Sequence, residues 1–283
     1  MAGSFIRMEF FRLSKMKALI VLPIVMVVVM FIQTFFLLRF NPEGALVSAF
    51  GLDSVATQLG GSSENYSMFG RGEGYNFTVA QTFESNVHGT LIILMIAIMA
   101  ALFLGSDYAT HNIKNYPIIN GRRWVRIAAQ MTVMAAFVLA VFIVAWIVSF
   151  MSNLVWAKSL RLGLSLKSLR FFVRSYIAAM AFVSVLCFLV TLTKSRAAGM
   201  TFGILIAIGV LNIPIGIFDF LLEHKYHWKD FSLNYLFPAR ILEKVGMGAS
   251  GKVVILTTFC AIIYLVLTIA GSILLSSKRD LDT

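Results

Sequence analysis

Six stretches of the chain run almost without a polar residue, at about 18–38, 87–104, 127–151, 172–191, 197–218 and 253–275. A helix of roughly 20 residues crosses a hydrocarbon layer of about 30 Å, so each run is long enough to span a bilayer. The runs are apolar on every side and do not alternate with period two. That pattern predicts buried or lipid-facing helices and excludes the strands of a membrane barrel. The expectation is an all-α polytopic membrane protein, one domain over 1–283 with six transmembrane helices and no soluble domain.

The polar intervals are unlike one another. Residues 4–17 place Phe5, Ile6, Phe10 and Leu13 on one face and Arg7, Arg12, Lys15 and Lys17 largely elsewhere. This is an amphipathic helix lying on the membrane surface, its cations set to anchor at phosphates. The apolar run after it is too long for a signal peptide and lacks a small-residue cleavage site. Pro23 removes a hydrogen bond near the start of the first span and predicts a kink. Residues 39–86 form a glycine-containing loop with Glu43, Asp53, Glu64, Glu73 and Glu84 against Arg39 and Arg71. An acidic loop following a basic N-terminal flank belongs outside, which sets the N-terminus in the cytoplasm. Val47, Phe50, Leu52, Val55 and Leu59 suggest a short surface helix within it. Residues 105–116 are short and polar, and Arg122, Arg123 and Arg126 follow as a basic anchor for the next span. A polar helix held at the surface between two spans is a lever through which an outside force moves both.

Composition supports the membrane reading. The chain is 59% hydrophobic and 13% charged, against about 25% charged in soluble domains. The net charge of +11 is spread over span flanks, which points to anionic headgroups and away from nucleic acid. With six spans both termini are cytoplasmic, yet twelve basic residues then fall on each side. The orientation therefore rests on the first span's flank and on the lever. Lys158, Arg161, Lys167, Arg170 and Arg174 sit among leucines in 156–174. They read as an interfacial segment whose side chains snorkel to phosphates, or alternatively as an outer basic surface for an anionic substrate.

Candidate chemistry is sparse. Gly246-Met247-Gly248-Ala249-Ser250-Gly251-Lys252 fits a phosphate loop until Val253, where Ser or Thr must hold magnesium. No strand precedes it, so it reads as a turn and a basic flank, and the chain has no ATP site of its own. His224 and His227 fall short of a metal shell, which needs three or four ligands. His88 and His111 stand singly at opposite span ends. Cys187 and Cys260 lie in apolar runs and read as packing residues. Few ionisable groups lie between the span ends, which counts against a carrier driven by an ion gradient. Gln33, Thr34, Gln130, Thr132, Ser184 and Asn212 are the polar exceptions, suited to interhelical hydrogen bonds or to a pathway.

Asp107-Tyr108-Ala109-Thr110-His111-Asn112-Ile113-Lys114-Asn115 resembles the coupling helix of type-2 ABC exporter permeases, a family of bacterial drug, bacteriocin and peptide efflux systems. The family pattern is acidic, aromatic, two variable positions, Gly-Thr, aliphatic, basic, Asn; His111 and Asn112 replace Gly-Thr here. The family also has an N-terminal amphipathic helix before six spans. The resemblance implies a multi-pass permease in a bacterial plasma membrane, exporting an amphipathic peptide, bacteriocin or lipophilic drug. It implies two ATP-binding partner subunits that carry ATP and magnesium, and a second permease copy, most simply in a homodimer. Asp107, Tyr108, His111, Ile113, Lys114 and Asn115 would then contact the ATPase, Tyr108 and Ile113 in a groove, Asp107 and Lys114 at its rim. The chain is then expected to be a transport subunit and no enzyme itself. The competing class is a stand-alone carrier, membrane-bound enzyme, sensor or scaffold with no ATPase partner, the enzyme disfavoured because the spans hold no His-Glu pair or paired aspartates.

Overall fold

A computed structural model describes residues 2–40, 78–109, 124–156, 161–210, 218 and 236–278. Among them the chain is all-helical, in nine helices. These are α1 (Ala2–Lys15), α2 (Ala18–Phe40), α3 (Val79–His88), α4 (Thr90–Ala109), α5 (Trp124–Trp156), α6 (Leu166–Thr193), α7 (Arg196–Ile208), α8 (Pro238–Lys244) and α9 (Gly251–Lys278). Five of them, α2, α4, α5, α6 and α9, are long and apolar enough to cross a membrane, the signature of a multi-pass membrane protein. The expected span at 197–218 is represented by α7, an apolar helix of 13 residues. That is shorter than the roughly 20 residues a crossing needs. It ends where Gly209 turns left-handed at φ 85°, and residues 211–217, with Asn212 and Pro214, lie outside the described residues.

Helix ends follow local chemistry. Thr78 and Gln81 form a reciprocal capping box at the start of α3, and Ser165 and Ser168 do the same for α6. Each pair satisfies amide groups that a helix start leaves without partners. The non-helical residues 161–165 satisfy two more, since Val79 and Ala80 donate to the carbonyls of Arg161 and Leu162 at 2.9 and 3.3 Å. Between α6 and α7 the chain reverses through Lys194, left-handed at φ 51°, and Ser195 caps the amide of Ala198. α2 runs through Pro23 without interruption.

Packing pairs give the directions of the helices. Gly105, Ala101 and Ala97 of α4 meet Arg196, Gly199 and Gly203 of α7 in turn, so these two helices are antiparallel along a seam of small residues. A Cβ on Gly105 would lie 2.8 Å from the Arg196 Cα, so only glycine permits this approach. α6 and α9 run parallel, with Thr268 donating to Ser184 at 2.7 Å and Gly271 beneath Phe188. α1 lies at one end of the bundle, against the C-terminal end of α4 and the N-terminal part of α5. α3 and α8 lie at the other. We call these the Arg12 end and the Glu84 end.

Two further boundaries differ from expectation. Residues 79–86, assigned to the first outer loop, and 87–88, assigned to the start of the second span, together form their own helix. Residues 105–109, assigned to a separate lever, are the last turns of α4, because apolar packing carries that helix past Gly105. The remaining lever residues and the expected surface helix at 47–59 lie outside the described residues.

Candidate functional site

Two clusters of buried charge occupy opposite ends of the bundle. At the Arg12 end, Glu9 and Asp107 are both buried. The face of α1 that carries Leu13 into the core also carries Arg12 to the end of α4. There Arg12 pairs with Glu9 at 3.0 Å, with Asp107, and with the Phe103 carbonyl and Ser106 hydroxyl at 2.7 and 2.8 Å. Its guanidinium also lies 4.7 Å over the Phe103 ring. From α5, Gln130 donates to the second Asp107 oxygen at 2.7 Å, and Arg126 approaches that oxygen at 3.8 Å. Arg126 also faces Tyr108, 5.7 Å from the ring centroid. One carboxylate thus ties three helices together.

This changes the roles expected for three residues. Asp107 was expected at the exposed rim of a partner contact, but its carboxylate is enclosed and used internally. Arg12 and Arg126 were expected at lipid phosphates, but both are turned inward to Asp107, because a buried carboxylate is costly without cations beside it. Arg7, Lys15 and Lys17 are exposed, as surface anchoring requires. Tyr108 is half-buried against the core. His111, Ile113, Lys114, Asn115, Arg122 and Arg123 lie outside the described residues. Gln130 was legible as a source of interhelical hydrogen bonds, and Ser184 likewise.

The Glu84 end has a different construction. Glu84 and His88 share a face of α3, Arg174 comes from α6, and all three surround the backbone at 245–247, just after α8. Arg174 donates to the carbonyls of Val245 and Gly246, and Glu84 accepts from the Met247 amide. The close approach explains Gly246, since a Cβ there would collide with the Glu84 carboxylate. Below lies an aromatic cluster in which Phe83 contacts Trp146, Phe171 and Phe172 with centroids 5.0 to 6.1 Å apart. Desolvation by this surround pushes the Glu84 carboxyl above its ordinary range, against the lowering effects of the Met247 amide and Arg174. Desolvation, with the charge of Arg174 adding to it, lowers His88 to about 4. A polar pair of contacts joins α3 to α5 nearby, Asn86 donating to Ser149 at 3.0 Å and Asn153 to Thr82 at 2.8 Å.

Sequence reasoning missed this second cluster. It counted Glu84 as a loop acid and Arg174 among the snorkelling cations. Arg161, Lys167 and Arg170 are indeed exposed, but Arg174 is 6% exposed and faces the bundle. Its place one helical turn beyond Arg170 and directly after Phe171-Phe172-Val173 is the signal that could have separated it. Of the glycine-rich stretch, residues 246–250 are the turn that this cluster holds and 251–252 begin α9, and no strand precedes it among the described residues. Nor do three or more His, Cys, Asp or Glu side chains gather there to hold a metal ion. No protein-family model matches the chain, and no curated protein matches it.

Proposed function

We propose that the chain is the permease subunit of an ATP-driven exporter of the type-2 ABC class, energised by a separate ATPase. The observation that carries this reading is the position of the acidic-aromatic pair Asp107-Tyr108. It begins the coupling-like motif and is continuous with the spanning helix α4, while Asp107 is clamped to α1 and α5. A push on the residues after Ala109 would therefore act on a surface helix and two spans together. Such a rigid joint between an outside contact and the bundle is what a rocking mechanism requires.

In this reading His111, Ile113, Lys114 and Asn115 meet the ATPase, with Tyr108 at the edge of that contact. Asp107 acts one step back, fixing the direction of the lever. Arg122 and Arg123 anchor the return of the chain to the membrane. The chain crosses the membrane six times with both termini inside, and the permease works as a homodimer with two ATPase subunits. The cargo is an amphipathic peptide, a bacteriocin or a lipophilic drug leaving through a bacterial plasma membrane.

The test is to tag the C-terminus, extract the complex gently from native membranes and identify what co-purifies. A stoichiometric subunit with a complete phosphate loop is expected, and it should be lost when Ile113→Ala and Lys114→Glu are combined. A folded chain that brings down no ATPase even after mild cross-linking in the membrane would sink the proposal in favour of a stand-alone carrier, sensor or scaffold.

A further inference from the structure

Residues 236–250 form a strap across the Glu84 end of the bundle. α8 buries Ala239, Ile241 and Leu242, and Val245 is buried just after it. The strap packs on α3, α4, α6 and α9. Its polar fastening is unusual in one respect. Glu84 and Arg174 belong to the bundle, and the strap groups that these two hold are main-chain ones, two carbonyls and one amide.

Glu84 and Arg174 are opposite charges near enough to influence one another. Even so, among the described residues they form no direct ion pair, because the strap's backbone stands in place of that contact. If the strap lifts, water reaches both groups and they can pair directly. The buried charges therefore have a partner in either arrangement. A buried charge stripped of its partner is strongly disfavoured, which would ordinarily keep such a segment fastened. Here the lost charge contacts are replaced, so that what opposes opening is chiefly the apolar burial of α8. Two discrete packings with exchangeable partners are the requirement for a switch.

The geometry points to a lid: residues 236–250 open and close over the Glu84 end, latched when Glu84 and Arg174 bind its backbone and released when they bind each other. This inference is independent of what drives the protein and stands whether or not an ATPase is its partner.

The two latch residues should act in opposite directions. Arg174 makes most of the closed-state contacts, so Arg174→Gln favours the open lid. Glu84→Gln keeps an oxygen acceptor for the Met247 amide, removes the cost of burying a charge, and abolishes the competing ion pair. It favours the closed lid. Ala239→Cys, at a buried position, reports the lid's position through its reaction with a membrane-impermeant maleimide, on the full-length chain in membrane vesicles. Gly248→Cys, where a side chain meets open space, is the control for reagent access from that side. The parent chain, whose Cys187 and Cys260 lie in apolar helices, is the blank. Arg174→Gln should speed labelling at position 239 by about tenfold or more, the factor expected for losing a charge-assisted hydrogen bond, and Glu84→Gln should slow it below the parent rate. If both variants speed labelling alike, the cluster is merely a structural cap. If neither changes the rate while the control labels normally, no latch exists. Either result overturns the proposal.

Discussion

The two ends of the bundle solve the same problem in different ways. Each buries a carboxylate next to an arginine. At the Arg12 end the carboxylate of Asp107 is met by side chains, Arg12 from α1 and Gln130 and Arg126 from α5. At the Glu84 end the charges reach past one another to the backbone of a turn. Side-chain pairing makes a joint in which helices move together, since one carboxylate of α4 is bonded to side chains of α1 and α5 at once. Backbone capture makes a fastening, since the charged groups can exchange the backbone for each other. The first suits transmission of force and the second suits a cover.

The difference breaks most sharply at Arg174. Replacing it with Met leaves the carbonyls of Val245 and Gly246 without their donor and Glu84 without its nearest positive charge. A loss of about 3–5 kcal/mol is expected for stripping one partner from a buried charged contact. Thermal unfolding of the purified chain in detergent measures it. The companion change Glu84→Gln should recover part of that loss, because the uncompensated charge goes with it. A double variant no more stable than Arg174→Met alone would mean that Glu84 does not depend on Arg174.

Acid tests the Glu84 end next. His88 is lowered from 6.5 to about 4, through burial first and Arg174 second. The folded state thus disfavours the imidazolium. Stability is unaffected above about pH 6.5 and falls as the pH drops from there to about 4, by up to about 3 kcal/mol at 1.36 kcal/mol per unit. Glu84 works the other way. Its raised value means the folded state binds the proton more tightly, so the penalty for its charge is relieved as pH falls. The difference between the parent and His88→Gln, followed from pH 7.5 to 4, isolates the histidine. A constant difference across that range would show His88 to be solvated.

A smaller effect tests the seam beside the Arg12 end. Gly105→Ala forces a Cβ against the Arg196 backbone, and overpacking of this kind costs about 1–3 kcal/mol. The loss should appear as a lowered unfolding midpoint, and Gly3→Ala, where nothing lies within 4 Å, is the control.

How much of this was legible depends on the kind of interaction. The apolar runs gave the spanning helices to within a few residues at most ends, because a bilayer-length run has few alternatives. The all-helical class followed directly. Partnership was less legible. Arg12 and Arg7 look alike in the sequence, and both fit the polar face of a surface helix. Only the tertiary register shows that Arg12 shares the side of Leu13 and meets a residue 95 positions away. Arg174 and Arg170 are separated in the same way. Glu84 looked like a loop acid because α3 is short and polar in composition, and it is a helix through its Thr78–Gln81 capping box and its contacts with α5. The glycine-rich turn resembled a phosphate site because both uses of glycine serve close approach to an oxygen, here a carboxylate in place of a phosphate.

The finest test concerns the joint itself. Arg12 is partly exposed, with 24% of its side chain accessible, while Asp107 is buried. Solvent screening on the arginine side holds the pair's coupling to about 1 kcal/mol. A double-mutant cycle with Arg12→Gln and Asp107→Asn measures that term apart from what each residue does with its other neighbours. Arg126 and Gln130 stay in place throughout, so Asp107→Asn alone should cost more than Arg12→Gln alone. The same cycle should also read out in α1. Proteolysis after Lys15 or Lys17 should quicken in either single variant and quicken no further in the double, since one contact is lost in all three. Additive effects on proteolysis would mean that α1 is held by its apolar face alone. The carboxylate would then join only α4 to α5, and the lever would act on two helices instead of three.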